Sequence, residues 1–334
     1  MTDRLRDRGE RALLEAIRRL VPRGPGVRLG VGDDAAVLAP IRAPLLVTTD
    51  AMVEGVHFRS PWLSPRELGR RAFEVSASDV AAMGGRVVAA VLALAAPPTL
   101  PVASVRAIVA GVRDGARIAG GALVGGNLAA ARELSLTVTV VGAASNGKPV
   151  ARAGARPGDR LFVTGTLGGA AFGLRSLRGA RTIVRAAVVQ WKRPRARLRA
   201  GAALARRGVA AAMIDLSDGL LIDTDRLCAA SGVAAWIDAD RLPLALRLRP
   251  LAPADARDLA LRGGEDYELL FAVRPRRAAV VGAMHAALGC GVTEIGEIVR
   301  GSGVNVIAGG RALVPTTALG HEHFPRRRDH VNRR

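Results

Sequence analysis

Short apolar runs of strand length alternate with stretches of helical spacing along most of the chain, a pattern that confines it to a mixed α/β architecture. From Glu10 to Leu20 the residues Leu13, Leu14, Ile17 and Leu20 recur at helical spacing, until Pro22, Gly24, Pro25 and Gly26 break it. Leu45–Thr48 reads as a strand whose C-terminal end carries Thr49 and Asp50. A helix is predicted over Pro65–Met83, with Ser64 as N-cap and Glu67 as the capping-box acid. Strands at Val87–Ala95, Ala122–Val124 and Leu134–Val141, with a helix at Val102–Ala119, complete an α/β first half. The glycines and prolines of Ser145–Gly158 mark a linker. Beyond it, strands are predicted at Leu161–Thr164, Met213–Leu216, Ala235–Asp238, Glu268–Val273, Thr293–Ile298 and Val304–Ile307. Helices are predicted at Pro194–Arg207, after Gly219, and at Arg276–Leu288. A length of 334 residues suits two cores of ordinary size, which divides the chain into residues 1–148, residues 149–325 and a basic tail at 326–334.

Five short polar loops fall at the ends of these elements: Gly32-Asp33-Asp34, Thr48-Thr49-Asp50, Ser78-Asp79, Gly125-Gly126-Asn127 and Asp215-Leu216-Ser217-Asp218-Gly219. Taken singly, each is satisfied as a cap or turn. Taken together, carboxylates at element ends project into a shared crevice, where they repel one another unless cations neutralise them. Hard oxygen donors select magnesium, which takes one or two carboxylates per ion and keeps waters for substrate phosphates. Several ions are therefore expected. No GxxxxGK[ST] loop is present, so phosphate is handled without a P-loop. The turn Gly165–Gly169 opens a helix whose N-terminus suits an anion, although packing glycines read the same. No G-x-S-x-G and no H-E-x-x-H occurs, which leaves serine-hydrolase and zincin readings without support. His57, within Val53–Phe58, is the one histidine that this reading places inside a motif.

The formal charge of +20 invites a nucleic-acid partner, but the excess is arginine in an alanine-rich chain with Lys148 and Lys192 as its only lysines. Aromatic residues make up 3%, too few for a base-stacking surface, so no nucleic acid is expected. Cys228 and Cys290 are too few for a disulfide framework. The charged start and the absence of a long apolar run predict a cytoplasmic protein without a membrane partner.

In order along the chain, GVGDDAA from Gly30, TTDAMVEGVHF from Thr48, SASDVAAMGG from Ser76, LVGGN from Leu123, RAGARPGDRLFVTGTLGGAAFGL from Arg152, RPRARL from Arg193, IDLSDGLLID from Ile214 and GGEDYELLF from Gly263 resemble the bacterial thiamine-monophosphate kinase family. The resemblance runs from about residue 10 to Phe324, and TTDxxVEGVHF with GGEDYELLF separates it from relatives in the aminoimidazole ribonucleotide synthetase-like superfamily. It implies a two-domain fold: an N-terminal α/β domain that forms a β-barrel across a homodimer, and a C-terminal α+β domain. It also implies transfer of the γ-phosphoryl group of ATP to thiamine monophosphate, giving thiamine diphosphate. By motif position, Asp34, Thr48, Thr49, Asp50, Asp79, Asn127, Asp215 and Asp218 would bind magnesium. Gly126, Arg152 and Ser217 would contact ATP, while His57, Glu265 and His321 would face thiamine monophosphate. Chemistry agrees with that site: a phosphate monoester has a second pKa of about 6, so it needs positioning and charge neutralisation rather than a strong base. Two departures leave open another small phosphorylated acceptor. Asn127 stands where the family usually has Asp, and His321 where it usually has an aromatic residue ahead of Glu322, His323 and Phe324.

Overall fold

In the computed structural model, described for residues 3–8, 10–179, 184–313 and 320–321, the chain builds two sheets of unequal size, each with its own apolar core, and a small two-stranded ribbon near its start. The four-stranded sheet runs in the order Leu45–Val53, Ser135–Ala144, Gly85–Ala96, Ala122–Ala130. Its last pair is parallel and the others antiparallel. Helices Pro65–Ala82 and Val102–Ile118 cover one face, burying Leu136, Val138 and Val140 beneath them. Period-2 alternation in Ser135–Ala144 produces that division between covered and open faces.

The predicted capping box is formed: the Ser64 hydroxyl accepts the Glu67 N–H at 3.3 Å, and Glu67 Oε2 accepts the Ser64 N–H at 3.2 Å. The two helices touch backbone to backbone. A Cβ on Gly69 would stand 2.0 Å from the Ile108 carbonyl oxygen, and one on Gly111 would stand 2.2 Å from that of Arg66.

The larger sheet has the order Arg311–Leu313, Gly303–Ala308, Ala234–Asp238, Val292–Val299, Arg160–Thr164, Leu269–Val273, Ala210–Asp215. Only Gly303–Ala308 with Ala234–Asp238 is parallel, which makes this half α+β. Helix Leu198–Arg206 joins the halves, since a Cβ on Gly201 would meet the Ala81 carbonyl oxygen at 2.0 Å. Residues 145–159 carry neither helix nor strand.

Several boundaries differ from expectation. The strand expected to stop near Asp50 continues to Val53, because its full length pairs with Ser135–Ala144. Gly125-Gly126-Asn127 lies inside the strand Ala122–Ala130 rather than in a loop; pairing with Gly85–Ala96 overrides the poor strand propensity of these residues. The helix expected at Arg276–Leu288 is two, Pro275–Gly282 and His285–Leu288, separated by tight i→i+3 bonds from Ala283 and Met284. That expected from Pro194 begins at Leu198, and helices Arg185–Lys192 and Pro253–Arg262 were not anticipated.

Candidate active site

Along Leu45–Val53, alternation turns Thr48 and Asp50 toward the helix Pro65–Ala82 and Thr49 toward the open face. The Thr48 hydroxyl donates to Asp79 Oδ2 at 2.5 Å. One residue earlier on that helix, the Ser78 hydroxyl donates to Asp215 Oδ2 at 2.7 Å, reaching across to the C-terminal half. Asp215 ends the strand Ala210–Asp215, so the strand end and the helix end bring aspartates of both halves together. Burial, with Asp79 adding like charge, pushes Asp50 up to about 6 and Asp215 up to about 7.

Asp218 is approached by Arg226, whose Nη1 donates to Asp218 Oδ2 at 2.6 Å and to Asp223 Oδ1 at 2.7 Å. Asp223 accepts the N–H groups of Asp218 and Gly219 at 3.0 and 3.1 Å, and burial pushes it up to about 6. Among the described residues, no three of His, Cys, Asp and Glu stand where they could hold a metal ion by themselves. The donor set of paired carboxylates and hydroxyls nevertheless fits magnesium, which completes its shell with water and substrate oxygens.

This cluster borders a cleft of about 540 Å³, lined among others by Asp50, His57, Ser217, Asp218, Glu265 and His321. The turn carrying His57 is pinned by Glu54, whose Oε1 accepts the Ser60 N–H at 3.0 Å and its hydroxyl at 2.5 Å. His57 Nδ1 accepts the Val53 N–H at 3.1 Å. Glu265 and Tyr267 occupy the left-handed region at φ 70° and 51°, which side-chain-bearing residues disfavour. They are held there by Asp215–Gly219: the Glu265 N–H reaches the Ser217 carbonyl at 2.7 Å, and the Tyr267 N–H that of Leu216 at 2.9 Å. Two motifs distant in sequence thereby form one wall.

Of the acids that follow, only Glu265 opens to the cleft. Glu268 is buried, accepting from the Thr164 hydroxyl at 2.7 Å and from Arg197 Nε at 2.6 Å. Asp266 accepts the N–H groups of Gly168 and Ala170 at 2.6 and 3.2 Å, so the donors at the start of helix Gly169–Leu177 are taken by a side chain of the protein itself.

Other expected site residues lie elsewhere. Thr49 stands on the open face with its hydroxyl 2.9 Å from that of Thr139, and Asn127 pairs in register with Ala93 on that face. Asp34 and Gly126 line a separate cavity of about 1050 Å³ beside Arg11 and Arg18. Arg152 is exposed away from the cleft, its carbonyl accepting from Ser231 Oγ at 3.1 Å. Glu322, His323, Phe324 and the basic tail at 326–334 lie outside the described residues. Arg71, Arg226 and Trp191, which bind Glu265 or Asp218, were missed: their partners are far apart in sequence except for Arg226, and no motif contains them.

Residues 32–144 match the family described as "AIR synthase related protein, N-terminal domain", and residues 156–309 match its C-terminal domain. A thiamine-monophosphate kinase of Mycobacterium tuberculosis is 36% identical over 275 residues, covering 80% of this chain and 81% of that protein. The crystal structure of thiamine-monophosphate kinase from Stenotrophomonas maltophilia superposes with a TM-score of 0.79 at 36% identity, over 90% of this chain and 96% of that one. A structure of AaThiL complexed with AMPPCP and TMP gives a TM-score of 0.73 at 32% identity, over 97% of this chain and 100% of that one.

Proposed function

The chain belongs to the thiamine-monophosphate kinases of the AIR synthase related family, and on that premise we propose that its cleft transfers the γ-phosphoryl group of ATP to thiamine monophosphate with the help of magnesium. The enzyme is an ATP-dependent phosphotransferase acting on thiamine phosphate. The observation that carries the finer reading is the meeting of Asp50 and Asp79 from one half with Asp215 and Asp218 from the other, beside the cleft that holds His57 and Glu265.

Asp50, Asp79, Asp215 and Asp218, with the Thr48 hydroxyl, would hold the magnesium ions. When bound, these supply charge neutralisation for two polyanions that must meet in line. The protein's own work is then placement. The acceptor phosphate is already largely ionised at neutral pH, so no side chain has to remove a proton. Ser217, at the turn between Asp215 and Asp218, would contact ATP phosphates, while His57, Glu265 and His321, which line the same cleft, would face thiamine monophosphate. Asp34, Thr49, Gly126, Asn127 and Arg152 would complete the metal and nucleotide sites from outside the cleft.

The division into residues 1–148 and 149–325 is supported by the two sheets and by residues 145–159 between them. A homodimer is supported by the open face of the four-stranded sheet, which presents Val47, Thr49, Ala51, Ala93, Thr137 and Thr139, none of them charged. Pairing two such faces would form the β-barrel. An enzyme drawing on ATP would work in the cytoplasm, and no helix of the described residues is long and apolar enough to cross a membrane.

Formation of thiamine diphosphate from ATP and thiamine monophosphate, measured with and without magnesium, tests the reading. Product only with magnesium is expected. A folded, ATP-binding preparation that makes none overturns it.

A further inference from the structure

Trp62, Trp191 and Trp236 are the only tryptophans of an aromatic-poor chain, and two of them meet beside the cleft. The rings of Trp62 and Trp191 stand edge to face with centroids 5.7 Å apart. The guanidinium of Arg71 lies 4.4 Å from the centroid of the Trp191 ring, within cation–π range. Arg71 is 1% exposed. Its Nη1 donates to the Trp191 carbonyl and its Nη2 to Glu265 Oε1, while Trp191 Nε1 donates to Glu265 Oε2. Each carboxylate oxygen of Glu265 thus receives its own fixed donor, one from helix Pro65–Ala82 and one from helix Arg185–Lys192.

Stability does not explain this arrangement. The Arg71 Nε–H is buried and meets no acceptor among the described residues. A buried guanidinium with an orphaned donor costs more than an apolar side chain of similar volume. Glu265 is itself in a disfavoured left-handed conformation, so several unfavourable choices converge on one carboxylate that faces the cleft.

We propose that Arg71 and Trp191 are positioning residues for the acceptor: they clamp both oxygens of Glu265, so that this carboxylate meets the cationic, amine-bearing heterocycles of thiamine monophosphate in a single orientation. The inference rests on the reading of the cleft as the acceptor site. It requires no contact between either clamp residue and the substrate.

Trp191→Phe keeps an aromatic ring beside Arg71 but removes the indole N–H together with part of a fully buried ring, so its stability is measured alongside. Its thiamine monophosphate KM, and the Kd measured by calorimetry without turnover, should rise about tenfold, as expected for one hydrogen bond to a charged group. The KM for ATP should stay within about twofold, and kcat should fall less than the acceptor KM rises. In a Glu265→Gln background the same substitution should add little, because the clamp acts through that carboxylate. Arg71→Lys, which keeps the charge but loses the planar fork, should shift the acceptor KM in the same direction and decides the matter if Trp191→Phe does not fold. Unchanged acceptor affinity in the folded variants, or a full tenfold effect of Trp191→Phe without Glu265, overturns the proposal. A wild-type enzyme that binds thiamine monophosphate without phosphorylating it would sink the kinase reading and leave the clamp to be judged on Kd alone. Failure to bind it at all overturns both.

Discussion

Burial beside a like charge is what separates Asp50 and Asp215 from ordinary turn aspartates: they are pushed up to about 6 and about 7, whereas a free aspartate ionises near pH 4. Such a cluster resists full ionisation until a cation enters, which suits the proposed binding of magnesium together with nucleotide. Asp50→Asn and Asp218→Asn should therefore each lower thiamine diphosphate formation by about two orders of magnitude, the usual scale for removing a charge-stabilising group. Near-normal turnover in both would break the metal argument. Asp266 offers a separate test, on stability. Burial, with Glu268 and Glu265 adding like charge, pushes it up to about 7 against the two N–H groups that lower it. A carboxyl raised in the folded state contributes its stability fully below the ordinary carboxylate range and loses it as pH rises through about 7. Urea midpoints of the metal-free protein should thus fall more steeply from pH 5 to pH 8 in the wild type than in Asp266→Asn; parallel slopes would refute this. The aspartates themselves were legible in the sequence, because Gly-Asp, Thr-Asp and Ser-Asp pairs stand out at element ends. Their division between two places was not: Thr49 and Asp50 are neighbours in sequence, and only strand alternation sends them to opposite faces.

Elements were legible where local chemistry agrees with the final packing. Helix Pro65–Ala82 announces itself through Ser64, Pro65 and Glu67, and the capping box forms as expected. Ser64→Ala should cost about 1 kcal/mol of unfolding free energy, read as a lower urea midpoint at unchanged slope. Ala122–Ala130 was illegible beyond Val124 because Gly125, Gly126 and Asn127 look like a turn; pairing with Gly85–Ala96 makes them strand, and a Cβ on Gly126 would sit 1.9 Å from the Leu92 carbonyl oxygen. The glycines of the helix pair carry a like constraint. Gly69 faces the Ile108 carbonyl at a distance no methyl can occupy, so Gly69→Ala has to push the helices apart despite alanine's better helix propensity. A loss of about 1–3 kcal/mol is expected from overpacking. A stabilised Gly69→Ala protein would show that propensity outweighs the contact.

For the whole molecule, the proposed pairing of two copies through the open face of the four-stranded sheet would link assembly to catalysis. Thr139 lies at its centre, paired with Thr49 on one side and Val91 on the other, and the row in front runs Ala51, Thr137, Ala93, Asn127. Around Thr139 this face carries no charge, and left to water it gains nothing; pressed against a second copy, it would close a barrel and remove two sheet faces from solvent. Thr139→Arg would place one unpaired guanidinium from each copy in that contact, at a cost of several kcal/mol. If the copies pair as proposed, sedimentation velocity should report a dimer for the wild type and a monomer for this variant. Asn127 shares this face, and Asp34 with Gly126 lines the cavity next to it, while His57, Glu265 and His321 remain in the cleft of each copy. Loss of the dimer should accordingly raise the KM for ATP more than that for thiamine monophosphate. A Thr139→Arg protein that still sediments as the wild type does would show that this face is not where the copies meet; a monomer with an unaltered KM for ATP would separate assembly from nucleotide binding.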